Sequence, residues 1–163
     1  MAGRITKSEQ QLRPDPRYGD LVLSKFINCV MSDGKKSAAQ RCVYGAMDVI
    51  EEKLAKETDE NKPESPIDVF RMAIDNVKPY VEVRSKRIGG ANYQVPMQVN
   101  KGRQQSLAFR WIITSCRAER GRPMGHRLAD ELYAAAKGEG KAMQTREQTH
   151  RMADANKAFA HFA

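Results

Sequence analysis

Long apolar runs are missing from this sequence: none approaches the ~20 residues that a membrane span requires. The first residues contain no apolar stretch of the kind that directs secretion, and Glu9 and Asp15 argue against a transit peptide. A cytoplasmic chain is the expectation. Cysteine is scarce, and Cys29, Cys42 and Cys116 are odd in number and far apart, which excludes a disulfide framework. They read as reduced, buried small hydrophobes. No cysteine pair has zinc spacing, and His126, His150 and His161 fall in no H-x-x-x-H or H-E-x-x-H arrangement. No metal and no cofactor is expected.

Catalytic signatures are equally thin. No nucleophile elbow occurs. Asp33-Gly34-Lys35-Lys36-Ser37 offers two lysines at a helix start, where a phosphate is attracted, but it lacks the upstream glycine of a nucleotide P-loop. Glu147 and His150 stand one helical turn apart, a spacing that suits acid–base work and equally an ordinary surface pair. The surface pair is the reading adopted, and no enzyme is expected. Aromatic residues make up only 7% of the chain, so base stacking has few candidates. Tyr80, Tyr93 and Trp111 are the candidates, and packing against the body is the role expected of each.

The most telling scarcity is acid between Lys78 and Arg127. That segment holds eleven Lys or Arg against Glu82 and Glu119, a net +9, where the whole chain carries +8. Residues 51 to 77 are the counterweight at −4. Cations concentrated on ordered elements mark a surface that meets a polyanion. The bland alternative is an edge strand that uses charge against aggregation. DNA binding and a nuclease are the other classes open, although no helix-turn-helix or zinc pattern supports the first.

At 163 residues the chain fits one domain able to bury roughly 70% of its unfolded surface. Residues 1–19 read as a basic extension with Arg4, Lys7, Arg13 and Arg17, and residues 20–163 as the single helical domain. A first helix carries Leu23, Phe26, Ile27, Val30 and Met31 and stops at Ser32-Asp33-Gly34. Ser37 and Gln40 suit a capping box opening the second, whose stripe runs Ala39, Cys42, Val43, Ala46, Met47, Ile50, Leu54. Residues 55–64 read as a surface loop, and Ser65-Pro66 opens a third helix with Ile67, Phe70, Ala73, Ile74 and Val77 inward.

A β-hairpin over about 79–100 follows. Val81 and Val83 alternate with Glu82 and Arg84, Tyr93, Val95, Met97 and Val99 alternate with polar positions, and Gly89-Gly90 makes the turn. Two strands alone are marginal in water, so something must pack against them. In the fourth helix Arg103, Arg110 and Arg117 recur every seven residues and form one stripe beside an apolar remainder. A fifth helix carries Leu128 and Leu132. Thr145 and Gln148 suit a second capping box leading the last helix. The reading is a mainly α fold: six helices with a protruding two-stranded β-hairpin arm between the third and fourth.

Several stretches are more specific than this patterning. They include Leu12-Arg13-Pro14-Asp15-Pro16, Met31-Ser32-Asp33-Gly34-Lys35-Lys36-Ser37, Val81-Glu82-Val83-Arg84-Ser85-Lys86-Arg87-Ile88-Gly89-Gly90 and His150-Arg151-Met152-Ala153-Asp154-Ala155-Asn156-Lys157. Through them the sequence resembles the small-subunit ribosomal protein seven family, bacterial type, over nearly its whole length. The resemblance implies a structural constituent of the small ribosomal subunit that binds the 3′ domain of small-subunit rRNA and nucleates assembly of the head. It also implies a place near the exit site, with tRNA, mRNA and neighbouring head and platform proteins as partners. The family's RNA-binding positions map to Arg4, Lys7, Arg13 and Arg17 in the tail, and to Lys35 and Lys36 after the first helix. They continue with Lys78, Arg84, Lys86 and Arg87 at the hairpin, and Lys101, Arg103, Arg110 and Arg117 on the fourth helix. The chain departs from the family at Asn100 and Gln104, where basic residues are common.

Overall fold

The computed structural model describes residues 11–57 and 63–162. Its elements run α1 (Leu21–Val30), α2 (Lys36–Lys56), α3 (Pro66–Val77), β1 (Val81–Ile88), β2 (Ala91–Gln98), α4 (Lys101–Ala118), α5 (Met124–Ala136) and α6 (Lys141–Ala155). A terminal 3₁₀ helix covers Lys157–Phe162. This is the expected order of six helices with the hairpin between the third and fourth. The loop expected at 55–64 starts later, since α2 continues to Lys56, and residues 58–62 lie outside the described residues.

Helix α1 begins where Asp20 accepts the Leu23 N–H at 2.8 Å, satisfying an otherwise orphaned donor of the first turn. Both expected capping boxes are overturned. Helix α2 is already helical at Lys36, and no side chain caps it, because Ser37 lies inside the first turn where its backbone is no longer extended. The start follows from the preceding turn, in which Asp33 and Gly34 adopt positive φ of 53° and 72°. Helix α6 begins four residues before Thr145, whose hydroxyl instead donates to the Lys141 carbonyl at 2.9 Å. Its N-terminal donor is met from another helix: Ala142 N–H donates to Glu131 of α5 at 2.7 Å.

The core gathers one face of each of α1 to α5, with Ala142 and Met143 from α6. At its centre Phe26 meets Phe70 and Phe109 edge-on, with ring centroids 5.3 and 5.1 Å apart. Helices α2 and α5 approach so closely that a Cβ on Gly125 would sit 3.2 Å from the Cys42 carbonyl oxygen. Of the three cysteines expected inside, only Cys116 is buried; Cys42 is half-buried and Cys29 exposed. Cys29 falls beside, not on, the α1 face made by Leu23, Phe26, Ile27 and Val30. Burial pushes the Cys116 thiol up to about 12, with Glu131 adding to the shift, so it stays protonated. No described helix is long and apolar enough to cross a membrane.

The hairpin pairs antiparallel with Ile88 opposite Ala91, across a two-residue turn in which Gly89 and Gly90 have φ of 57° and 90°. Glycine accepts these left-handed angles without strain. The register has a consequence that alternation alone conceals. Val83 faces Pro96, and Val81 faces Gln98, whereas Tyr93, Val95 and Met97 share their face with Lys86, Arg84 and Glu82. The apolar sides of the two strands therefore point in opposite directions. The Tyr93–Val95–Met97 side is covered by the body: Val95 is buried, and Tyr93 packs on Phe159 and Phe162 at 5.0 and 6.2 Å. Helix α6 and the 3₁₀ helix supply the support that a two-stranded ribbon needs.

Candidate nucleic-acid interface

Glu82 organises the foot of the arm. It is a buried carboxylate, 7% exposed, placed on the covered face by the hairpin register. Arg84 clamps one oxygen with two hydrogen bonds of 2.9 and 2.5 Å. Arg103, in the first turn of α4, clamps the other at 3.0 and 2.9 Å. Asn100 caps α4 by accepting the Arg103 N–H at 2.9 Å, which orients that first turn. Burial alone would raise the Glu82 carboxyl; the hydrogen bonds from Arg103 and Arg84 outweigh it and hold the group below the usual range.

The expected site residues separate into two sets. One set has partners inside the molecule. Arg17 donates to Asp48 at 2.6 Å and lies over the rings of Tyr18 and Tyr44. Lys78 meets Asp75 at 2.5 Å, and Lys86 donates to the Phe162 carbonyl at 2.5 Å. Arg117 reaches the Val30 carbonyl at 3.2 Å and the Ser32 hydroxyl at 3.4 Å. Arg84 and Arg103 belong here too. The second set, Arg13, Lys35, Lys36, Arg87, Lys101 and Arg110, is exposed and has no charged or hydrogen-bonding side-chain partner among the described residues. Arg4 and Lys7 lie outside the described residues.

Lys35 and Arg117 come together in a hollow over Val30, Ala39, Cys42 and Met124. An adjoining hollow shares Ala38, Cys42 and Met124 and brings in Arg41, Gly45 and His126. The result is a groove with an apolar floor and with Lys35, Arg41 and Arg117 at its edges, beside the acidic Asp33. Arg41 was missed in the sequence reading. Its signal was available, because Ala38, Arg41, Cys42 and Gly45 follow the i, i+3, i+4, i+7 spacing of one helix face. The Glu147–His150 pairing gives way to other partners: Glu147 lies 3.7 Å from Arg151, and His150 accepts the Tyr80 N–H at 3.2 Å.

Three carboxyls and one imidazole set the acid response. Asp20 is raised by burial but lowered further by the Leu23 N–H and Arg71, and Asp130 is likewise held down by Lys53 and Arg122 against its burial. Burial, then Arg146, lowers His150, against a smaller opposing pull from Asp154. All four folded values, that of Glu82 included, lie below the unfolded ones. The stability these four groups contribute is therefore present above about pH 6.5, and it falls first as His150 protonates and again below pH ~4.5 as the carboxyls do. Thermal midpoints measured from pH 8 to pH 3 should fall in these two stages; a flat profile would contradict the assignment.

The fold and the charge together define a class: a helical domain with a cationic arm docked along its last α-helix. The chain belongs to the family described as ribosomal protein S7p/S5e, whose model matches residues 2–157. It is 61% identical over 161 residues to small ribosomal subunit protein uS7 of Rhodopirellula baltica, covering 99% of both chains. The uS7 of Thermotoga neapolitana is 52% identical over 159 residues, covering 98% of this chain and 97% of its own. That of Methylobacterium radiotolerans is 49% identical over 162 residues, covering 99% of each. The family is structural and non-enzymatic.

Proposed function

We infer that this protein is a structural constituent of the small ribosomal subunit, where it neutralises phosphates at a junction of rRNA helices. The observation that carries the reading is the set of exposed cations on ordered elements, Lys35, Lys36, Arg87, Lys101 and Arg110 above all, left without intramolecular partners among the described residues. The groove over Met124 supports it, because an apolar floor with Lys35, Arg41 and Arg117 at its edges suits a nucleotide. Its finer placement is the 3′ domain of the rRNA, with a part in nucleating head assembly and with the arm toward exit-site tRNA and mRNA. Neighbouring head and platform proteins are the further partners.

Titrating the protein into the 3′-domain fragment of small-subunit rRNA tests this. With ~10 phosphate contacts, log K should fall with log salt at a slope of about 7 to 9. Binding indifferent to salt, or equal affinity for duplex DNA at matched salt, contradicts the reading.

A further inference from the structure

Tyr80 is the one exposed ring among the Phe, Tyr and Trp residues, with 72% of its surface open to water. The expectation that Tyr80, Tyr93 and Trp111 all pack against the body holds for Tyr93 and for half-buried Trp111, but fails for Tyr80. A single exposed ring is common on protein surfaces, so what distinguishes this one is the way it is held. The residue is well anchored. Its N–H donates to His150 Nε2 at 3.2 Å, and its carbonyl accepts the Val99 N–H at 3.1 Å. Its ring lies on the His150 ring at 5.6 Å with planes 26° apart. Only side-chain torsions remain to be ordered, so a ligand on this ring incurs little further entropy loss.

We propose that Tyr80, backed by His150, is a stacking platform for one unpaired nucleobase of the bound RNA. The proposal rests on the RNA-binding reading above and adds a base contact to what is otherwise phosphate neutralisation. The surroundings favour a nucleotide over an apolar protein side chain. Lys78, which meets Asp75, precedes the ring by two residues, and exposed Lys101, with no side-chain partner among the described residues, stands two residues after Val99, whose N–H the Tyr80 carbonyl accepts. Because Nε2 accepts a backbone N–H, the neutral His150 ring bears its proton on Nδ1, which has no partner among the described residues. That donor is available to a base edge or phosphate beside the stack.

The test compares wild type, Tyr80→Phe and Tyr80→Leu for binding to the 3′-domain rRNA fragment across a salt series. Tyr80→Leu should weaken binding about 5- to 150-fold, the range for one base–aromatic stack, and leave the salt slope unchanged. Tyr80→Phe should bind within about twofold of wild type, because the π face is kept. Ultraviolet irradiation of the wild-type complex should yield a nucleotide adduct on the peptide containing Tyr80. Wild-type affinity in Tyr80→Leu overturns the platform while leaving the RNA reading intact. A loss in Tyr80→Phe equal to that in Tyr80→Leu also overturns it, since the hydroxyl would then be the contact. Failure of the wild type itself to bind, or to respond to salt, is the separate failure of the underlying reading.

Discussion

Replacing Lys35, Lys36, Arg87 and Lys101 together by glutamine should lower the slope of log K against log salt by about 3 to 4, at ~0.7 to 0.9 per lost phosphate contact. At 0.1 M salt this amounts to roughly three decades in affinity for the rRNA fragment, because each contact's contribution scales with the one decade separating that salt from 1 M. Stability should barely change, since none of the four has a side-chain partner among the described residues and all are exposed. The two readouts together make the prediction sharp. An unchanged slope with unchanged stability would mean that these cations face solvent in the complex.

The opposite pattern is expected at the foot of the arm. Arg103→Met leaves Glu82 buried with Arg84 as its remaining partner, and removes two of the four hydrogen bonds on the carboxylate. Losing charge-assisted bonds to a buried acceptor costs about 2 to 3 kcal/mol. The lower figure applies here, because the Arg103 side chain is 35% exposed and solvent screens part of the interaction. Glu82→Gln on the same background should recover part of the loss, by relieving the poorly compensated charge. A double-mutant cycle read by urea unfolding should therefore show coupling of about 1 kcal/mol or more. Strict additivity would mean that the carboxylate does not latch the arm to α4.

These variants separate two kinds of cation that look alike in the sequence. Arg84 and Arg87 are three residues apart on one strand, yet the period-2 pleat sends Arg84 to the covered face beside Glu82 and Arg87 to the outer one. Helix periodicity correctly placed Arg103, Arg110 and Arg117 in one stripe. It carried no information about Glu82 or the Val30 carbonyl, which engage the first and last of them. The same limit explains the capping errors. Ser37 and Thr145 have the right residue types, but a cap depends on where the preceding turn ends and on whether another helix, here through Glu131, already meets the donor. Tyr80 was misjudged for a related reason: apolar rings usually find cover, and only the arrangement of α6 shows that this one has a single imidazole beneath it.

The mainly helical class, the apolar stripes, the arm between α3 and α4 and the cationic excess between Lys78 and Arg127 are all legible in the order of residues. These are local, periodic or summed properties of the chain. Packing in three dimensions sets which cations are latched and which are open, which face of the hairpin is covered, and that Tyr80 stands in water on His150. Those outcomes depend on pairings between residues distant in the chain, such as Glu82 with Arg103 and Tyr80 with His150. Such pairings arise from side chains meeting in space, and no single-chain periodicity encodes them.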